Sequence, residues 1–210
     1  MAKVTIVGAG NMGRGIGTRL AGGNVLQVLA PTVEHASSLA SELGSGATGG
    51  GVDDVIEGDV VVLATPYDGA LDFVARRRAD LSGKVVVDIT NPVDWASFDR
   101  LVTPFDSSAA QEIAARLPEN TPVVKAFNTT FAGTLSSGSV AGQELDVLVA
   151  GDDQDAKATV IQLVESAGMR AVDAGPLRRA QQLEHLGFLH MALQESLGSG
   201  YGSALKFITP

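Results

Sequence analysis

The 210-residue chain has no cysteine. Disulfides, thiolate nucleophiles and cysteine-ligated metals are therefore excluded, and a reducing, cytoplasmic location is the expectation. Basic residues are scarce: 15 Lys and Arg against 24 Asp and Glu leave a formal net charge of −9. Without a basic stripe to neutralise phosphates, nucleic acid is not an expected partner. The densest basic run, Arg76-Arg77-Arg78, is expected to end a helix, where cations suit the dipole. No apolar run reaches the ~18 residues of a membrane span. Met1-Ala2-Lys3 runs directly into a strand pattern, so no signal peptide is read there. Metal-site spacing is also missing. The histidines are His35, His185 and His190, and the last two are five apart rather than the four of a helical pair. No Asp or Glu cluster has ligand spacing, so no metal is expected. Neither Gly-x-Ser-x-Gly nor Tyr-x-x-x-Lys occurs. An enzyme with this inventory would work without the usual general acid or base, as hydride transfer between two cofactors can, because positioning supplies most of the catalysis.

What the chain does have begins at residue 4: Val-Thr-Ile-Val-Gly-Ala-Gly-Asn-Met-Gly. An apolar, β-branched strand breaks into Gly8-x-Gly10-x-x-Gly13 and a helical pattern follows at once. In a dinucleotide-binding turn, Gly8 permits the tight turn and Gly10 lets the backbone approach the pyrophosphate. Gly13 lets helix and strand pack closely, and the helix N-terminus offers free N–H groups.

Short apolar runs then alternate with amphipathic stretches. Strands are expected at Val4–Val7, Val25–Leu29, Asp59–Ala64, Lys84–Asp88 and Pro122–Ala126. Helices are expected at Met12–Ala21, Val33–Leu43, Gly69–Arg78 and Ala109–Leu117. Continuously apolar strands separated by helices predict an α/β fold: a Rossmann-type, doubly wound parallel sheet. Ser45–Gly51 reads as a small-residue loop, and Ser136–Gly142 as a break. Beyond it the pattern gives a strand at Leu145–Ala150, a helix at Asp153–Ala167 and a short strand at Met169–Val172. A long helix follows from Leu177 to about Leu197, with a stripe of Leu183, Leu186, Leu189, Leu193 and Leu197. The expected division is a dinucleotide-binding domain, 1–150, and a small C-terminal α-rich lobe, 151–210, that covers substrate or dimerises.

In doubly wound folds the loops after the strands gather at one edge and bind the ligand. Asn11 and Met12 sit at the tip of the glycine turn, where Met12 either presses on a cofactor ring or fills core. After the second strand comes Ala30-Pro31-Thr32, which has neither the acid that reads an NAD ribose nor the base that meets an NADP 2′-phosphate. Thr32 is the expected helix N-cap. His35 is read either as a phosphate contact or as a surface histidine. Thr65, Pro66 and Tyr67 follow the Asp59–Ala64 strand and could line a nicotinamide and its ribose; for Tyr67 simple packing is the alternative. Asn91 and Pro92 close the Lys84–Asp88 strand, and Asn91 there could bond a carboxamide or a substrate carbonyl. The long segment Val93–Ser108 has the length of a functional or mobile loop. Lys125 is read as paired with a carboxylate or as a substrate contact. Asn128 and Thr129 point to polar recognition.

Five motifs in order carry a resemblance that spans nearly the whole chain. They are Val7–Gly13, Asp88–Pro92, Lys125–Thr129, Ala150–Asp153 and Asp173–Leu177. The chain resembles the NADPH-dependent reductases of coenzyme F420, the deazaflavin:NADP oxidoreductase family. Its Lys125–Asn128 segment is also similar to the reductase domain of the six-transmembrane metalloreductases. The resemblance implies a cytoplasmic homodimer that moves a hydride between NADP (or NAD) and a deazaflavin or flavin-like acceptor. It implies that Gly8–Gly13 hold the pyrophosphate and that Thr65 and Pro66 flank the nicotinamide. It further implies that Asn91, Pro92 and Phe127–Thr129 shape the face for the second ring, and that Gly198–Phe207 help cover the pocket. The family usually places a Ser-Arg pair after the second strand, where this chain has Ala30-Pro31-Thr32. A second reading is an NAD(P)H-dependent reductase acting directly on a small organic C=C, C=N or C=O substrate. A third is a nucleotide sensor or scaffold without hydride transfer.

Overall fold

The computed structural model describes residues 1–208. Its first half alternates strand and helix: β1 (Lys3–Val7), α1 (Asn11–Leu20), β2 (Val25–Ala30), α2 (Val33–Leu43), β3 (Thr48–Gly51), β4 (Val60–Leu63), α3 (Tyr67–Arg76) and β5 (Val85–Asp88). The second half runs α4 (Ala109–Ala114), β6 (Val123–Lys125), α5 (Ala132–Ser137), a small hairpin of β7 (Ser139–Val140) and β8 (Gln143–Glu144), then β9 (Asp146–Gly151), α6 (Gln154–Ser166) and β10 (Arg170–Gly175). A 3₁₀ turn at Leu177–Arg179 leads into α7 (Ala180–Ala192) and α8 (Gln194–Leu197).

One eight-stranded sheet takes the order β10-β9-β6-β5-β4-β1-β2-β3. Every pairing is parallel except β6 with β9. The strand order reverses between β1 and β4, which makes the switch point of a doubly wound fold. β4 shows why the strands read as unbroken apolar runs. Val60 and Val62 enter one core cluster while Val61 and Leu63 enter the other. Ile16 of α1, Leu135 of α5 and Val160, Leu163 and Val164 of α6 complete the first cluster. Phe73 and Val74 of α3 and Ile113 of α4 complete the second. The Arg76–Arg78 run does end a helix, α3, with Arg77 as its C-cap.

Four expectations are corrected. Residues 48–51 form the edge strand β3, not a loop. A Cβ at Gly49 would collide with the backbone of Ala36 and Ser37, so α2 lies on this strand too closely for side chains. A strand made of glycine shows no hydrophobic period. Helix α5 occupies part of the expected Ser-Gly break. It closes on Gly138 in the left-handed region, φ 75°, where glycine carries no Cβ penalty. The expected single helix over 177–197 is divided into the 3₁₀ turn, α7 and α8. Its leucine stripe divides too: Leu183 and Leu186 pack on Leu148 and Ala150, while Leu189, Leu193 and Leu197 are exposed. Finally, the sheet is not wholly parallel, since β9 runs against β6. β9 crosses residues 150 and 151, β10 belongs to the same sheet, and α6 and α7 pack on it.

Asp88 and Lys125 are register partners at the carboxyl ends of β5 and β6. Lys125 is fully buried and uses all three ammonium protons. It donates to Asp88 Oδ2 at 2.7 Å, to Thr90 O at 2.5 Å and to Glu184 Oε1 of α7 at 2.8 Å. Glu184 also accepts from Ala109 N at 3.0 Å and Ala110 N at 3.4 Å, capping α4 from a distance. Burial works against the Lys125 charge, but Asp88 and Glu184 outweigh it and hold its pKa above the ordinary value. Burial pushes the Glu184 pKa up.

Asp146 anchors the chain's last described stretch. Its carboxylate accepts from Arg170, from Lys206 Nζ at 2.6 Å and from Phe207 N at 2.8 Å. Burial opposes its charge, but Arg170, Lys206 and Phe207 N prevail and lower its pKa to about 2.

Two outcomes follow. Removing one partner of a buried, fully bonded ion cluster costs about 3–5 kcal/mol, so Lys125→Met should lose that much in urea unfolding. A loss under about 1 kcal/mol would show that the cluster does not hold the fold. Asp146 has a depressed folded pKa, so its contribution is complete above its ordinary 3.8 and disappears as pH falls toward about 2. Asp146→Asn should thus be less stable than wild type by about 2 kcal/mol at pH 6. The gap should close near pH 2, and a pH-independent gap would refute this origin.

Candidate functional site

The carboxyl ends of β1 and β4 flank the switch point, and the glycine turn lies across it. Gly8 has φ 119°, and a Cβ there would overlap the carbonyl of Ala64, so β1 and the end of β4 touch backbone to backbone. A Cβ at Gly13 would overlap Gly8 O, which brings α1 down onto the turn. Gly10 is different: nothing of the protein lies within 4 Å of the place its Cβ would take. It is the N-cap of α1 with no capping side chain, so the first-turn N–H groups have no side-chain acceptor. Open space beside an uncapped helix N-terminus fits a pyrophosphate.

From this turn a cleft of about 880 Å³ extends over the ends of β4, β5 and β6. Pro66 N-caps α3 with φ −54°, so the chain leaves β4 extended through Thr65 and turns at once into the helix. Tyr67 opens α3 at the cleft wall, and burial, aided by the charge of Glu112, raises its hydroxyl pKa. After β5, Thr90 N donates to Asp88 Oδ1 at 2.9 Å and leads to Asn91. After β6, Phe127 adopts φ 61°. That left-handed step carries Asn128 under the cleft.

Asn91 and Asn128 form a fixed amide pair. Asn91 Nδ2 donates to Asn128 O at 2.7 Å, and Asn128 Nδ2 donates to Asn91 Oδ1 at 2.9 Å and to Leu183 O at 2.8 Å. Each NH₂ group meets only acceptors, which settles both amide orientations. A Cβ on Gly187 would press on this pair, so α7 crosses it at close range. Thr90 Oγ1 and Asn128 Oδ1 are buried without a partner.

The far wall comes from α5, from α7 and from the segment after α8. Phe131, Ala132, Gly133 and Ser136 line it with Met191 and Tyr201. Tyr201 meets Phe131 edge-on at 5.1 Å, and His190 lies against Phe131 at 4.3 Å. The His190 ring is 3.2 Å from Thr129 O through Nδ1 and 2.9 Å from Ser203 Oγ through Nε2. Burial lowers its pKa against the opposing bond to Thr129 O, which favours the neutral ring. Gln194 Nε2 also donates to Ser203 Oγ at 2.9 Å, so Tyr201 is held over the cleft by polar bonds on both sides of it.

Of the residues expected at a site, Gly10, Asn11, Met12, Thr65, Pro66, Tyr67, Asn91 and Asn128 line this one cleft. Gly8 and Gly13 stand behind the turn as close-packing positions. Ala30, Thr32 and His35 lie at the end of β2 and the start of α2, outside the lining. Thr32 is the N-cap of α2, but its side chain makes no capping bond. Pro92, Phe127 and Thr129 are buried beneath the cleft rather than facing it. Lys125 is committed to its two carboxylates. Tyr201 falls in the Gly198–Phe207 stretch expected to cover the pocket, whereas sequence reasoning did not single out Arg14, Ile89, Thr90, Trp95, Phe131 and Met191, all of which line the cleft. A 3.6-residue period from the helix start would have pointed Arg14 to this edge, Ile89 and Thr90 adjoin Asn91, and Trp95, Phe131 and Met191 arrive from separate segments. No group of three metal-ligating side chains occurs among the described residues.

Comparison with known proteins agrees with this geometry. The model of the family described as "NADP oxidoreductase coenzyme F420-dependent" matches residues 3–92. The F420-dependent NADP reductase of Methanocaldococcus jannaschii is 32% identical over 94% of this chain and 96% of its own length. The rat metalloreductase STEAP3 is 28% identical over 87% of this chain but only 36% of that protein. A crystal structure from Arthrobacter sp. FB24, provisionally described as an F420-dependent NADP reductase, superposes over 100% of both chains. Its TM-score is 0.85 at 26% identity. By sequence and fold, the chain belongs to the coenzyme F420-dependent NADP oxidoreductase family.

Proposed function

We propose that this protein transfers a hydride between NADPH and coenzyme F420 or a closely related deazaflavin. The observation that carries the reading is the cleft itself. One end is an open glycine turn at a helix N-terminus. The other is an apolar, aromatic-walled space with no carboxylate or imidazole among the residues lining it. Such a site positions two rings and leaves the chemistry to them. NADPH supplies the hydride when bound. Gly10, Asn11 and Met12 would hold the pyrophosphate, and Thr65, Pro66 and Tyr67 the nicotinamide riboside. Asn91 and Asn128, fixed against α7, would orient the carboxamide or the second ring.

The ribose end is less committed. Arg14 is paired with Glu42 at 2.9 Å. Arg76 pairs with Asp53 and Asp72, and Arg77 bonds Val52 O, Asp54 O and Asp80. Only Thr32, His35 and the backbone at the start of α2 are left to meet a 2′-phosphate, so discrimination between NADPH and NADH is weak. The tail through Tyr201 covers the cleft. The exposed Leu189, Leu193 and Leu197 stripe is read as the contact of a homodimer. The cysteine-free sequence favours the cytoplasm. No helix among the described residues is long and apolar enough to cross a membrane.

Purified protein with NADPH should bleach the deazaflavin absorbance. Absence of bleaching with NADPH and with NADH would sink the reading. Turnover of a small C=C, C=N or C=O compound without deazaflavin would favour direct reduction instead. In fluorescence titrations NADPH should bind less than about tenfold more tightly than NADH, since a charge-assisted arginine contact is missing. Gly10→Ala should leave stability within about 0.5 kcal/mol, because its φ of −81° and ψ of −170° suit alanine. The same change should weaken NADPH binding by at least about tenfold, since the methyl group enters the pyrophosphate's space. Unchanged affinity would move the phosphate site elsewhere.

A further inference from the structure

Trp95 is the chain's single tryptophan. It lines the cleft, and 68% of its surface is exposed. The loop that carries it is closed rather than loose. Val93 and Leu101 form an antiparallel bridge. Asp94 N donates to Arg100 O at 2.9 Å, and the Asp94 carboxylate accepts from Arg100 Nε at 3.0 Å and from Ala96 N at 3.2 Å. Phe98 N donates back to Asp94 O at 2.7 Å. Phe98 itself sits at φ 50°, a conformation a bulky residue keeps only when its surroundings enforce it. That step places its ring 5.9 Å from the Trp95 indole, tilted by 35°. Phe98 in turn meets Phe188 of α7 edge-on at 5.4 Å. The indole is thus footed on an aromatic ladder that reaches the helix forming the cleft wall, while much of its surface stays bare.

A rigid, bare indole is a surface for a flat aromatic ring. The same cleft is lined by Met12, Phe131, Met191 and Tyr201, and its polar side chains, apart from Arg14, are uncharged amides and hydroxyls. Arg14 is the one charged residue in the lining, and Glu42 holds it. Away from the glycine turn, the cleft therefore offers much to a ring and little to an anion.

We propose that Trp95 is a specificity-determining residue that stacks on the planar ring system of the hydride acceptor, and that the neutral ring rather than an anionic side chain sets acceptor affinity. This rests on the reading above, in which the glycine end takes the nicotinamide nucleotide. The ladder makes Trp95 preorganised, so stacking needs no ordering of the loop.

The test uses the intact protein and two probes, coenzyme F420 and its neutral deazaflavin chromophore lacking the anionic side chain. Titrated without nicotinamide, both should quench Trp95 fluorescence, with dissociation constants within about threefold of each other. The ligands' own fluorescence then reports on the variants. Trp95→Ala should raise Kd and KM for the acceptor about tenfold, and Trp95→Phe only about two- to threefold, as expected for loss or shrinkage of a stacking face. KM for NADPH should move by less than about twofold in both variants. The exposure of Trp95 means that both should fold, which circular dichroism checks. The proposal is overturned if Trp95→Ala leaves acceptor affinity unchanged, if NADPH KM rises as much as acceptor KM, or if only the anionic form binds. Unchanged acceptor affinity with a shift from dimer to monomer would assign the indole to an interface between copies, which also overturns it. Quenching by the chromophore without hydride transfer would instead defeat the functional reading and leave the ring platform standing.

Discussion

One buried ammonium group organises the carboxyl edge of the sheet. An unpaired charge in that position would be intolerable, yet Lys125 is matched proton for proton by Asp88, Thr90 O and Glu184. The partners come from two parts of the site, the end of β5 with the loop after it and α7. Asp88 ends β5 and also receives Thr90 N, so the loop to Asn91 is fixed at its root. Glu184 belongs to α7 and takes the first N–H groups of α4. With Glu184 held, the next turn of α7 brings Gly187 onto the Asn91–Asn128 pair, and the turn after that brings Met191 to the cleft. Two carboxylates around one cation leave formal negative charge inside the protein. The N-terminal dipole of α4 relieves it, while burial and the neighbouring Asp88 raise the Glu184 pKa.

How much of this could be read from the chain depended on how local the cause was. Strands such as β4 declare themselves because burial on both faces demands an unbroken apolar run. The glycine turn declares itself because Gly8 and Gly13 are required by backbone contacts a few residues away. β3 was illegible for the opposite reason. Gly49 is required by the backbone of α2 and Gly50 by the Asp54 side chain, and a strand without side chains has no pattern. Lys125 could be read equally as a structural ion or a substrate contact, because its second carboxylate lies 59 residues further along. The aromatic wall was hidden for the same reason: Trp95, Phe131 and Tyr201 come from three segments with no shared period, and only folding assembles them.

The same distinction separates the two ends of the cleft. At the glycine end, the proposed recognition uses backbone geometry, which a short motif encodes. At the ribose end it would use a side chain, and there Ala30-Pro31-Thr32 supplies no cation. The arginines nearby do not substitute, because each is engaged by carboxylates or by backbone carbonyls. With a net charge of −9, the overall field also does nothing to draw a polyanion inward. Affinity must then come from contact at the rings.

Three aromatic residues near that contact lie in the left-handed region: Tyr201 at φ 63° on the far wall, and Phe127 at φ 61° and Phe98 at φ 50° in the loops after β6 and β5. Neither loop phenylalanine is a residue that adopts this conformation freely. For Phe127 the enforcement is visible. Its ring is in the core cluster, and its carbonyl accepts from both Thr130 N and Thr130 Oγ1. The strain is thus held by packing below the cleft, and its effect appears above, where Asn128 is delivered to Asn91. For Phe98 the ring is trapped between Trp95 and Phe188 while the Val93–Leu101 bridge and the Asp94–Arg100 pair close the loop. In both places a sharp turn is stabilised from behind so that the side chain in front has one orientation. A cleft lined by no carboxylate or imidazole among the described residues has orientation as its main means of catalysis, and the backbone strain held at these turns serves that demand.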